Sequence, residues 1–114
     1  MLVTEDEYFL ADDIARSLQS LGAKVAGPVS ELEDALGILN SGEIIDGAVL
    51  DINLKGEKIF PIARTLRARK LPFVFTTGYD RAAVDPEFQD VLVWEKPLDL
   101  TSLTHALAGL IRRR

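Results

Sequence analysis

The stretch Ile44-Ile45-Asp46-Gly47-Ala48-Val49-Leu50-Asp51-Ile52-Asn53 decides how the rest of the chain is read. An apolar run that follows a glycine and ends abruptly in a carboxylate is the pattern of a strand buried on both faces, delivering one functional group to a sheet edge. In an open α/β sheet, ligands collect beyond the carboxyl ends of the strands. Asp51 is therefore either a site residue at such an end or an acid that starts a turn or caps a helix, as Asp often does after a strand.

Toward the N-terminus, Met1-Leu2-Val3-Thr4 reads as a short strand that runs straight into Glu5-Asp6-Glu7. Leu10, Ile14, Leu18 and Leu21 then recur at helical spacing, with Ala11 and Ala15 beside them, and Gly22 stops the pattern. Asp12, Asp13, Arg16 and Gln19 take the wet face. Residues 24–29 predict a second strand, and Ser30 with Glu33 forms a capping-box pattern ahead of Leu32, Ala35, Leu36 and Leu39. Asn40-Ser41-Gly42 closes that helix.

Toward the C-terminus, Leu54-Lys55-Gly56-Glu57 is expected to be a polar loop before a helix carrying Ile59, Ala63 and Leu66. Arg64, Arg67, Arg69 and Lys70 crowd its end, where the helix dipole favours positive charge. Leu71-Pro72 breaks the helix, and Phe73-Val74-Phe75-Thr76-Thr77 predicts a fourth buried strand ending in hydroxyls at Gly78. From Asp80 to Gln89 few apolar positions repeat and Pro86 interrupts, so a short helix at best is expected there. Val91-Leu92-Val93-Trp94 predicts the fifth strand, Glu95-Lys96-Pro97 follows it, and Leu103, Leu107, Leu110 and Ile111 mark a last amphipathic helix. Alternation of this kind over 114 residues argues for one domain, residues 1–114: an α/β fold with a doubly wound, five-stranded parallel sheet covered on both faces.

The composition narrows the function classes. Hydrophobic residues make up 47% and charged residues 27%, a globular balance. No apolar stretch is long enough to span a bilayer and no signal-peptide pattern opens the chain, so a soluble cytoplasmic protein is expected. The lack of cysteine removes disulfides, thiol catalysis and cysteine-ligated zinc. A net charge of -5 disfavours direct nucleic-acid binding, which draws its affinity from Lys and Arg at phosphates. Arg112-Arg113-Arg114 reads as a solvated helix end, Trp94 as half-buried, and His105, the single histidine, as a solvated helical residue.

On a parallel sheet the strand ends gather one set of residues: Glu5 and Asp6 after the first strand, Asp51 after the third, Thr77 after the fourth, Lys96 after the fifth. Three carboxylates held together repel and need a cation to stay ionised, and an all-oxygen cluster suits Mg²⁺ over a transition metal. The Asn53 backbone carbonyl could add an oxygen. One nucleophilic carboxylate beside a metal, a hydroxyl and an ammonium is arranged to take a phosphoryl group onto Asp51, with Mg²⁺ and Lys96 neutralising its oxygens.

Glu5-Asp6, Asp51, Thr77 and Lys96-Pro97, in this order, resemble the receiver domain of two-component response regulators over the whole chain. The resemblance implies a flavodoxin-like topology, Asp51 as phosphoacceptor, Asp6 and Asp51 as direct Mg²⁺ ligands, Glu5 acting through water, and the Asn53 carbonyl as a further ligand. It also implies Thr77 as switch hydroxyl, Lys96 as phosphoryl contact and a cis peptide before Pro97, since X-Pro bonds alone populate that state readily. A histidine kinase and a downstream protein or phosphotransfer partner are then expected, for a monomer or weak homodimer whose only chemistry is its own phosphorylation and dephosphorylation. Two departures bear on the subclass. Val93 stands where many receivers carry a switch aromatic, and Phe75-Thr76-Thr77-Gly78-Tyr79 resembles the Phe-Ala-Thr-Gly-Tyr signature of a bacterial, often single-domain subgroup, with Thr76 replacing its Ala. Tyr79 would sit exposed near the site. Two other readings are a small Mg²⁺-dependent phosphatase and a phosphorylation-independent adaptor. Against the first, a turnover nucleophile of the Asp-x-Asp kind needs a general acid two residues on, and residue 53 is Asn.

Overall fold

Five strands rich in Val, Leu and Phe pair side by side in the computed structural model, which describes residues 1–78 and 84–113. In chain order the elements are β1 (Leu2–Thr4), α1 (Tyr8–Ser20), β2 (Ala26–Val29), α2 (Leu32–Leu39), β3 (Ala48–Asp51), β4 (Asn53–Leu54), β5 (Glu57–Lys58), α3 (Phe60–Ala68), β6 (Phe73–Thr77), a 3-10 turn (Pro86–Phe88), β7 (Val93–Glu95) and α4 (Leu100–Arg112). The main sheet is parallel throughout, in the order β2-β1-β3-β6-β7, the flavodoxin-like arrangement.

Period-two alternation sorts the strand side chains to opposite faces. Leu2, Leu50, Phe73 and Phe75 join one buried cluster with Ala35 and Leu39 of α2 and Ile62, Ala63 and Leu66 of α3. Val3, Val49 and Val74 join the other with Ile14 and Leu18 of α1 and Leu103 and Leu107 of α4. Helices thus cover both faces, which explains strands that read as nearly continuous apolar runs. Among the described residues no helix is long and apolar enough to cross a membrane.

Several local expectations are corrected. Leu21 is 51% exposed because α1 ends before it: it is the C-cap residue and leaves the buried stripe of Leu18 and Ile14. Leu36 lies at the edge of the short α2 and is exposed, so Ala35 and Leu39 carry the packing. The Ser30–Glu33 capping box does not form. Glu31 is the N-cap residue, without a side-chain cap bond, and this one-residue shift puts Glu33 outside the position from which it could reach back.

The polar loop after Asp51 is a two-residue hairpin, with Asn53 opposite Lys58 and Leu54 opposite Glu57. Lys55 (φ 49) and Gly56 (φ 86) are both left-handed, the requirement of a tight primed turn. Lysine at the first of these positions hides that turn from a sequence reading, which looks for Asn, Asp or Gly there. The fifth sheet strand begins at Val93, not Val91: Val91 is buried in the approach to the sheet, and the Leu92 carbonyl accepts from Phe75 N at 2.9 Å. Trp94 is half-buried and His105 exposed. Within the weakly patterned 80–89 region, Asp85 caps the 3-10 turn by accepting from Glu87 N, and Phe88 is fully buried. Tyr79, with 80–83 and Arg114, lies outside the described residues.

Candidate functional site

Parallel pairing sets the carboxyl ends of β1, β3, β6 and β7 along one sheet edge, through registers such as Thr4 to Leu50, Asp51 to Thr76 and Thr77 to Glu95. Sequence then places Glu5, Asp51, Thr77 and Lys96 there. The β1/β3 boundary is also where the strand order reverses, the position at which open α/β sheets leave a crevice.

Asp51 is buried at the end of β3, with its backbone N–H and its carboxylate each held by a hydrogen bond. Its N–H donates to Thr4 Oγ1 at 3.2 Å, and its Oδ1 accepts from Asn53 N at 3.2 Å. Lys96, at the end of β7 with its N–H donating to the Thr77 carbonyl at 2.9 Å, sends its ammonium into the acids. Nζ donates to Asp51 Oδ2 at 3.1 Å, Glu5 Oε1 at 3.2 Å and Glu7 Oε1 at 3.3 Å. The Lys96–Pro97 peptide is cis, as is Gly27–Pro28. Asp6 lies at the exposed rim, where Oδ2 accepts from Lys55 N at 3.0 Å, so the hairpin turn is fastened to the acid pair. Asp6, Glu7, Asp51, Asn53, Gly78 and Lys96 line a cavity of about 320 Å³ over this edge.

The electrostatics follow from burial. Desolvation pushes the Glu5 carboxyl up to about 8; the Glu7 N–H bond opposes this, and the neighbouring Asp51 charge adds to it. Burial on its own would lower Lys96, but the hydrogen bond to Asp51 and the charges of Asp51 and Glu5 outweigh it and raise the ammonium's pKa, so Lys96 stays charged. One carboxylate oxygen each of Glu5, Asp6 and Asp51 lies within 4.8 Å of the others, a group that could hold a metal ion. Beside it, among the described residues, buried Asn53 Oδ1 accepts no hydrogen bond, and Glu5 Oε2 accepts none either, although it lies 3.2 Å from Lys96 Nζ. An all-oxygen set with excess negative charge and unsatisfied acceptors fits a hard divalent cation.

Of the residues expected from the sequence, Glu5, Asp51 and Lys96 meet directly, Asp6 borders the same cavity, and Asn53 reaches Asp51 through its N–H. Thr77 is buried at the end of β6. Three contributors were not anticipated. Glu7 holds Lys96, and its only sequence signal was its place beside the acid pair; Thr4 and Lys55 act through a strand hydroxyl and a main-chain N–H, neither of which a sequence pattern marks.

Comparison with known proteins places this site in a family. SdrG from Sphingomonas melonis Fr1 is 40% identical, with a TM-score of 0.83 over 96% of this chain and 93% of that one. SdrG from Pseudomonas melonis Fr1 in a BeF3-activated conformation is 38% identical, with a TM-score of 0.76 over 96% and 93%. A response regulator receiver protein from Sinorhizobium medicae WSM419 is 28% identical, with a TM-score of 0.84 over 97% and 92%. No family model and no curated protein matches the chain. The chain belongs to the response regulator receiver domains, proteins of two-component signalling.

Proposed function

We propose that the protein is a phosphorylation-dependent switch in which Asp51 accepts a phosphoryl group from a histidine kinase. The observation that carries this reading is the Asp51 carboxylate, held by Asn53 N and Lys96 Nζ at the mouth of a cavity ringed by acids. In the transfer, an Asp51 oxygen forms the new bond to phosphorus while the phosphorus–nitrogen bond to the donor imidazole breaks, its electron pair returning to nitrogen. Asp6 and Asp51 would hold Mg²⁺ directly, with Glu5 through water and the Asn53 carbonyl as a further oxygen. Bound there, the ion supplies charge neutralisation for the phosphoryl oxygens.

Lys96 supplies a second, fixed positive charge to the same oxygens. Thr77 is the hydroxyl that the new charge recruits, and the added charge changes the partner preference of the surface around β6 and β7. The BeF3-activated form of the 38%-identical SdrG supports an analogous loaded state here. The protein turns over no external substrate in this reading. Asn at position 53 leaves no general acid two residues from Asp51, which disfavours a phosphatase.

The test is incubation with Mg²⁺ and acetyl phosphate followed by intact mass. A single phosphate adduct in the wild type and none in Asp51→Asn is expected. An adduct that survives in Asp51→Asn, or none in either protein, defeats the proposal.

A further inference from the structure

An ammonium has three N–H donors, and at Lys96 three carboxylates take them: Asp51 at 3.1 Å, Glu5 at 3.2 Å and Glu7 at 3.3 Å. A phosphoryl group on Asp51 would bring several new acceptor oxygens to this ammonium, which then compete with the present partners for its three N–H donors. The three differ in what yielding costs. The Glu5 side chain is fully buried, with 0% exposure, and both of its carboxyl oxygens lie 3.2 Å from the Lys96 ammonium. Withdrawing Lys96 from it would leave a fully buried carboxyl without its ammonium partner, in a place water cannot reach, which is strongly unfavourable. Asp51 is the acceptor itself. The Glu7 side chain is 63% exposed, so water can replace the ammonium there at little cost.

Glu7 is also free to do this work. It is the N-cap residue of α1 but makes no side-chain cap bond; its backbone N–H donates to Glu5 Oε1 at 3.0 Å while its carboxylate reaches over to Lys96. We infer that Glu7 is a positioning residue that holds Lys96 over the site before phosphorylation and cedes it to the phosphoryl oxygens afterwards, so that its charge opposes the loaded state. This rests on Asp51 being the phosphoacceptor. Nothing in the step is consumed: one Lys96 N–H exchanges a carboxylate oxygen for a phosphoryl oxygen, and water takes its place at Glu7.

The test uses beryllofluoride as the phosphoryl mimic, titrated at saturating Mg²⁺ and followed by the bound fluoride signal in fluorine NMR, for wild type, Glu7→Gln, Glu7→Asp and Asp51→Asn. Mg²⁺ affinity is measured separately without beryllofluoride, so that a change in metal occupancy is not read as a change at Lys96. Glu7→Gln keeps the size and removes the charge, and tightens beryllofluoride binding about two- to five-fold at low salt, the scale of an exposed ion pair. The difference shrinks at high ionic strength. Glu7→Asp, which keeps the charge, stays near wild type. A contact that merely supported the fold would give weaker binding on removal, not tighter. Saturable wild-type binding with unchanged or weakened binding in Glu7→Gln overturns the inference and leaves Asp51 as phosphoacceptor. Absence of Asp51-dependent binding in the wild type removes the phosphoacceptor reading and the inference together.

Discussion

Thr76 carries a buried hydroxyl with no hydrogen-bond partner among the described residues, at the position where the resembling signature has Ala. Leaving a hydroxyl unpaired in an apolar setting is unfavourable, and a methyl of similar size has no such penalty. Thr76→Val is expected to raise stability by about 1 kcal/mol, read as a higher urea midpoint at constant slope; a lower midpoint would mean that the hydroxyl has a role of its own. Glu5 shows the same physics with charge. Burial foremost, with the Asp51 charge, lifts its carboxyl from 4.5 to about 8, so the folded chain holds a proton that the unfolded chain releases. That contribution to stability is complete below about pH 4.5 and is lost as pH rises toward about 8. Lys96, raised above an ordinary value of 10.5, keeps its charge throughout this window. In metal-free protein the urea midpoint should therefore fall between these limits, and Glu5→Gln should flatten the fall. An identical pH slope in the variant would show that Glu5 is not the titrating group.

At the scale of elements, two glycines show how much of a turn is conformation and how much is space. Gly56 closes the β4–β5 hairpin at φ 86 with open space where a Cβ would stand. Gly27, within β2, has φ 101, and a Cβ there would meet Val29 N at 2.8 Å and the Val3 carbonyl oxygen at 3.0 Å. Gly56→Ala is charged only for the left-handed backbone, about 1 kcal/mol. Gly27→Ala adds a backbone clash that only movement of β2 against β1 relieves, so its urea midpoint should drop further than that of Gly56→Ala; equal drops would mean the strand edge yields freely. The hairpin also explains how a loop comes to serve the site. Its turn residue Lys55 is tied by its N–H to Asp6, and by its ammonium to Glu31 at 3.2 Å.

Across the whole molecule, the face covered by α2 and α3 closes on an aromatic cluster. Phe88 stacks on Phe60 at 5.6 Å between ring centres and meets Phe75 edge-on at 5.7 Å. The Arg67 guanidinium lies 4.9 Å from its ring centre, and Arg67 is itself paired with Asp90. The fully buried ring of Phe88 thus anchors residues 84–92, ahead of β7, to α3. Phe88→Ala should destabilise the fold by about 3–5 kcal/mol in global unfolding, far more than any exposed Arg–acid pair along the same seam. A loss below about 1 kcal/mol would show that the cluster collapses into the space left behind.

The sequence by itself determined the elements whose signals are strong and local: the apolar strands, the helical stripes of α1, α3 and α4, and the convergence of Glu5, Asp51, Thr77 and Lys96, which follows from strand ends on a parallel sheet. Those features depend on periodicity and chain direction, which the residues carry one by one. Tertiary structure decided the rest. Ser30 misses its cap by a single residue, Leu21 and Leu36 face solvent, Lys55 takes a left-handed turn, and Val91 packs without joining the sheet. Glu7 became part of the site only because Lys96, 89 residues away, needed a third acceptor. Each is a competition between a weak local preference and a contact made across the fold, and a contact across the fold exists only once the chain has closed.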